Sequence, residues 1–339
     1  MRRVIGIALG LSVVIGVLVT AFVWPSSEVA PRDVPIAVAG PPEAVAQVEE
    51  QLAEAMPDAF DVSQLADADA ARAAIEDRDV YGAVVLDPAG PPRVLTASAA
   101  GPAVAQLLQG LAAELSAQAG GAEAAPAVAV DDVAPLPDGD PRGIGFNSGA
   151  LPMVMGGLAI GVAMVFTVAG VWRRVAGAAL AAAGGGAVAM LVMQSWLGIL
   201  EGNWWANAGV FTLTVAAVAL TVVGVHSLVG EAGIGLSALV MLIVGNPLSG
   251  VTSAPEMLPS GWGAFGQLLP PGAGGSLLRS TAYFDGAAAG RPLLVLVSWL
   301  AFGLLLAALG TRVAARRSAE GGASDAVRDA DEPAVGAGR

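Results

Sequence analysis

The residues of this chain that could do chemistry are few, and almost all lie in or beside apolar runs. His226 is the single histidine, and Glu231 stands five residues after it, just past the run 208–229. An ionisable side chain at membrane depth is a functional candidate by default, so this pair could pass a proton or sense pH. So near a helix end, it can equally reach water or lipid head groups. Gln194, Asn246, Pro247 and Ser249 are candidates for a translocation path or a helix break. Proline lacks an amide donor and frees the carbonyl one turn earlier, and a broken helix in lipid is how many transporters build a substrate or ion site. The plainer outcome is a kink packed by Gly245 and Gly250, with Gln194 bonding an adjacent helix. Trp262, Arg279, Tyr283 and Asp285 fall in a stretch, 254–291, too apolar for an ordinary loop. They read as a rim at the outer membrane interface, with Trp262 and Tyr283 as belt residues and a local Arg279–Asp285 ion pair within reach.

Much chemistry is excluded. With Cys 0 there is no disulfide, thiolate metal site or cysteine nucleophile, and the 16 basic residues are all arginine, so a phosphate-binding loop ending in Gly-Lys-Ser/Thr is impossible. One histidine cannot supply His-Glu-x-x-His, and no Gly-x-Ser-x-Gly stands in the sequence. The chain therefore reads as no enzyme, with no cofactor, no metal and, at a net charge of -13, no nucleic-acid partner.

Six apolar runs must position the candidates: 4–24, 150–172, 175–200, 208–229, 232–253 and 292–313. Each is long enough for the roughly 20 helical residues that cross a hydrocarbon core, and mean hydropathy is +0.69 with only 13% charged residues. Arg2 and Arg3, Arg173 and Arg174, and Arg312, Arg316 and Arg317 fall on one side if the spans alternate. The positive-inside rule makes that side cytoplasmic, with both termini inside and residues 25–149 outside. The first run is too long for a cleaved signal peptide, and Trp24-Pro25-Ser26 is a poor cleavage site, so it reads as an uncleaved anchor.

The expected fold is a membrane all-α bundle of six transmembrane helices with an inserted extracytoplasmic α/β domain. Its parts are an anchor helix, 1–24; the α/β domain, 25–149, ending in a Pro/Gly/Asp-rich tether; a five-helix domain, 150–317; and a disordered cytoplasmic tail, 318–339. In the α/β domain, strands are expected at 34–39, 60–65, 80–86 and 93–97, with helices running to Met56 and over 67–77 and 102–119. Ala44, Val48, Leu52 and Ala55 share one face of the first of these helices, and 122–141 is either a last strand or a tether. Between residues 25 and 149 stand 20 Asp and Glu against 5 Arg, a difference of 15, so the acidity of the chain belongs to this domain. A solvated surface held off anionic lipid explains it better than a cation site.

Two stretches carry a family likeness. Ala70-Ala71-Arg72-Ala73-Ala74-Ile75 leads into Val80-Tyr81-Gly82-Ala83-Val84-Val85-Leu86-Asp87-Pro88. Pro255-Glu256-Met257-Leu258-Pro259 leads through Leu268-Leu269-Pro270-Pro271 and Leu277-Leu278-Arg279 to Tyr283-Phe284-Asp285-Gly286. With the order of parts, they resemble the membrane subunits of type-2 ABC exporters, near the phage-infection-protein-like (YhgE/Pip) branch. The resemblance implies a multi-pass protein of the bacterial inner membrane that moves an amphipathic or lipid-like substrate. It further implies a separate ATP-binding subunit and a homodimer or a heterodimer with a related permease, surrounded by membrane lipid. The family's helix-bearing cytoplasmic loop is here only Trp172-Arg173-Arg174-Val175. That departure supports an alternative, a non-transporting scaffold or envelope-assembly protein whose external domain binds a partner.

Overall fold

The computed structural model describes residues 1–87, 90–119 and 128–331. Pro88 and Ala89 of the expected turn, 120–127 of the expected strand or tether, and the tail residues 332–339 lie outside them.

Helix α1, Arg2–Ser27, stands apart: its most apolar stretch is 0% buried by the rest of the chain. Only its last turns meet the remainder, where Trp24 packs edge-on against Trp262 with ring centroids 5.7 Å apart. Next come β1 Val34–Ala39, α2 Pro42–Ala55, β2 Phe60–Leu65 and α3 Ala68–Glu76. β3 Gly82–Val85, β4 Arg93–Thr96, α4 Pro102–Ala119 and β5 Ala129–Asp132 complete an α/β domain. Its sheet has the order β2-β1-β3-β4-β5, with β3 and β4 antiparallel and the other pairs parallel. Side chains alternate across a strand, and β1 uses both faces. Val34, Ile36 and Val38 pack with Val45 and Leu52 of α2 and Leu108 of α4, while Ala37 and Ala39 meet Ala71 and Ile75 of α3. Val45, rather than the expected Ala44, is the inward residue of the first turn of α2. Asp67 starts α3 by accepting from the Ala70 amide at 2.9 Å.

The bundle consists of α5 Ile144–Thr167; α6 Val171–Met190, continued by a π turn Leu191–Trp196; α7 Trp204–Val229; α8 Ala232–Ala238, continued by a π turn Leu239–Val244; α9 Trp262–Gly266; α10 Pro270–Tyr283; and α11 Gly290–Asp331. Helix α7 is its axis, with 78% of its most apolar stretch buried against at most 28% in the other spans. Small residues let the neighbours approach: a Cβ on Gly157 of α5 would lie 2.7 Å from Val218 Cβ, and one on Gly303 of α11 would lie 2.6 Å from the Leu220 carbonyl carbon.

Among the described residues five helices are long and apolar enough to cross a membrane: α1, α5, α6 with its π turn, α7, and α11 as far as Arg316. The run 232–253, expected as a sixth, is not one helix. Seven residues of α8 and six of its π turn rise about 20 Å, short of a hydrocarbon core of about 30 Å. Pro247 then withholds a donor, Gly250 takes φ +66, and the chain continues as turns to Ala254. From there it folds back through α9 and climbs again as α10. Pro271, at the start of α10, faces Gly245 at the end of the π turn.

At the far end of the chain, α11 continues as helix through Asp331, where a disordered tail was expected from 318. Alanine, arginine and glutamate are good helix formers, and extending an existing helix avoids the cost of nucleation.

Candidate functional site

The break in the fifth apolar run leaves backbone carbonyls that lipid cannot satisfy, and side chains of the returning segment take them up. Gln267 donates Nε2–H to Ser249 O at 2.7 Å and accepts from Ser276 Oγ at 2.6 Å. Ser249 Oγ donates to Asn246 O at 2.7 Å. Arg279 donates from Nη2 to Val251 O at 3.1 Å and stacks over the Phe146 ring, 4.7 Å from its centroid. The helix ends at Val244, and Asn246, Pro247 and Ser249 lie in the turns that follow, closed by Gln267 and Arg279.

Above the break the α/β domain is seated on the bundle. Met257 enters the cluster around Ile36 and Val38, and Phe284 enters the one around Ile75 and Val85. The Ala30 amide donates to Met257 O and the Arg32 amide to Glu256 O, at 3.0 and 3.1 Å. A cavity of about 450 Å³ lies in this seam. Its walls include Arg32, Arg78, Asp79 and Tyr81 from the α/β domain and Glu256, Gln267, Ser276, Arg279 and Arg291 from the bundle side. Four arginines face three carboxylates there, the third being Asp33. Asp33 and Asp79 are exposed, and Glu256 accepts from Tyr81 Oη–H at 2.9 Å. Burial pushes the Tyr81 phenol above its ordinary ionisation range, and the charge of Glu256 pushes it further.

Arg78 reaches the seam from an unusual backbone. It follows α3 with φ +63, a left-handed conformation that costs an L residue about 1–2 kcal/mol and is ordinarily given to glycine. Its Nη1 donates to Ser276 O at 3.1 Å and to Ser280 Oγ, and its guanidinium lies 5.3 Å from the Phe284 ring centroid. Burial lowers its pKa from the ordinary arginine value, against the opposing charges of Tyr81 and Glu256. Among the described residues neither Arg78 nor Arg279 is bonded to a carboxylate, and Arg279 Nε is buried with no acceptor at all.

The remaining candidates are dispersed. Gln194 closes the turn between α6 and α7, donating to Gly202 O and accepting from Asn207 Nδ2, both at 3.0 Å. His226 and Glu231 lie at the opposite end of the bundle; no hydrogen bond joins them, and His226 Nδ1 is buried without a partner. Trp262 stays exposed at the rim, while Tyr283 donates to Ile199 O at 2.8 Å. Asp285 is exposed at φ +48 past the end of α10. Arg279 is 4% exposed and lines the seam cavity, where Val251 O offers it a partner and Phe146 a surface, and no ion pair joins it to Asp285.

Sequence reasoning passed over Arg78, Tyr81, Glu256 and Gln267 as a group. One signal was available, since Glu256 and Arg279 are the only charged residues between Glu231 and Asp285. A second cavity, of about 850 Å³, is lined by Glu76, Asp77, Asp138, Glu201 and Asp285. Among the described residues no group of His, Asp or Glu is placed to hold a metal.

Fold and site together define a helical, multi-pass membrane protein with an α/β domain docked on its bundle. No family model, curated protein or solved structure matches the chain.

Proposed function

We propose that the chain is a permease-like subunit of a bacterial inner-membrane exporter, passing an amphipathic, lipid-like substrate outward with ATP hydrolysis supplied by a separate subunit. The observation that carries this reading is the interrupted fifth run, where two half-length helices meet at Gly245 and Pro271 beneath the seam cavity. A rigid scaffold needs no such break, whereas alternating access uses one. Arg173, Arg174, Arg312 and Arg316 stand at the end of the bundle remote from the α/β domain, which supports a cytoplasmic far end and an extracytoplasmic domain.

A scaffold that holds a partner through the α/β domain is the second reading. It is favoured by the connections at the far end: residues 168–170 join α5 to α6, and 230–231 join α7 to α8. They leave an ATPase little to grip.

The chain has Cys 0, so a single cysteine can report on the break. The tagged protein, purified in mild detergent, is expected to retain a phosphate-loop ATPase in near-equal amount. In vesicles holding both chains, labelling of Asn246→Cys by an impermeant maleimide is expected to change on adding ATP. Recovery without an ATPase, together with labelling indifferent to ATP, would put the scaffold reading first.

A further inference from the structure

The seam cavity holds two cationic side chains, Arg279 and Arg78, that among the described residues bond no carboxylate. Arg279 is 4% exposed, makes one hydrogen bond among the described residues, to a carbonyl, and leaves Nε without an acceptor. A guanidinium has five N–H donors and stays protonated at neutral pH, so most of its capacity is open. A buried charge normally has a counter-charge, and here Glu256, the carboxylate on the bundle side of the cavity, is engaged by Tyr81 rather than by Arg279. Beside it, Arg78 is held by a backbone conformation that its own residue type disfavours. Strain of this kind persists where the surroundings impose it, and it clusters at ligand sites.

From this arrangement we infer that the seam cavity is a binding site for a phosphoryl anion, with Arg279 and Arg78 as its charged donors. Guanidinium groups match phosphate oxygens with paired N–H donors, and Gln267, at the same wall, keeps a second Nε2–H beyond the one it gives Ser249 O. The volume, about 450 Å³, accommodates a head group rather than a whole lipid. Leu258 and Ala264 line the cavity, and the exposed Trp262, Phe265 and Leu268 flank it, so an apolar tail has a surface to lie on outside. The phosphoryl group is thus the head of an amphiphile or a free phosphate compound, bound through the same two arginines. The inference deepens the permease reading and rests on it only for what the site is used for.

The test is direct binding to the full chain in mild detergent, with dioleoyl phosphatidic acid and inorganic phosphate as probes, followed by native mass spectrometry and by thermal shift. Phosphatidic acid is expected to bind and to lose affinity by about tenfold or more in Arg279→Gln and in Arg78→Gly. Arg279→Gln removes the charge while keeping a polar side chain, and Arg78→Gly relieves the left-handed backbone. That relief offsets the loss of the Arg78 bonds to Ser276 O and Ser280 Oγ, so the Arg78→Gly protein should stay folded, with a melting temperature close to the parent's, while binding less. If inorganic phosphate binds as tightly with the same dependence on both arginines, the site stands and its ligand is water-soluble. Absence of binding by either probe, or unchanged affinity in a stably folded Arg78→Gly protein, overturns the inference. Binding does not require ATP or a partner, so phosphatidic acid that binds without ATP-dependent labelling at position 246 would sink the permease reading and leave the site.

Discussion

Replacing Gln267 by methionine tests whether the broken segment is held by side-chain substitutes for helix hydrogen bonds. The two side chains are close in volume, so packing changes little while both polar functions vanish. Ser249 O loses its donor at 2.7 Å and Ser276 Oγ its acceptor at 2.6 Å. Each such bond contributes about 1 kcal/mol net, and a buried group left without a partner costs about 1–3 kcal/mol. Ser249 is 6% exposed, so its carbonyl bears a penalty near the upper figure. Ser276 lines the seam cavity, where water can replace the lost acceptor. The sum is a destabilisation of about 2–3 kcal/mol for Gln267→Met, against about 1 kcal/mol or less for Ser276→Ala. Thermal unfolding of the purified full chain in one mild detergent, followed by tryptophan fluorescence, would rank the two. A Gln267→Met protein as stable as the parent, or a Ser276→Ala protein less stable than it, would refute the account.

Three further outcomes follow from the same geometry. Burial and Glu256 raise the Tyr81 ionisation above its ordinary value of 10.0, so its contribution to stability is whole below about pH 10 and is lost as pH rises through the raised value. In a Tyr283→Phe background, tyrosinate absorbance should stay absent through pH 10 while the chain is folded, and a midpoint at the ordinary value would contradict the buried Tyr81–Glu256 bond. Gly303→Ala forces a Cβ to 2.6 Å from the Leu220 backbone and should cost about 1–3 kcal/mol, whereas Gly209→Ala, with nothing within 4 Å, should cost little; equal melting temperatures would count against close packing of α11 on α7. Phe284→Ala removes a bundle side chain from the α/β core and should cost about 3–5 kcal/mol, with limited proteolysis now cutting between domain and bundle; unchanged protection would mean the seam is held elsewhere.

Much of the fold was legible because its signals are local. The short apolar run at 34–39, the helical pattern over 67–77 and the uninterrupted apolarity of 208–229 each depend on a few neighbouring residues, and β1, α3 and α7 stand within a few residues of where those patterns put them. The fifth run was misjudged for the opposite reason. Hydropathy registers how apolar 232–253 is, but not that Pro247 has a second segment, α9 and α10, ready to satisfy what it breaks. The continuation of α11 to Asp331 likewise depends on the helix already formed before it, which composition alone does not weigh.

The candidate site divides the same way. Apolar lengths and strand and helix patterns, properties of single segments, determined that the chain is a membrane protein with an α/β portion. Only the tertiary structure decided that Arg78 and Arg279, 201 positions apart, converge in one seam with Tyr81 and Glu256. Spacing along the chain carries no information about which charge is left unpaired after folding. That depends on which carbonyls, rings and carboxylates the docking of the domain onto the bundle brings within reach, and on the water it excludes.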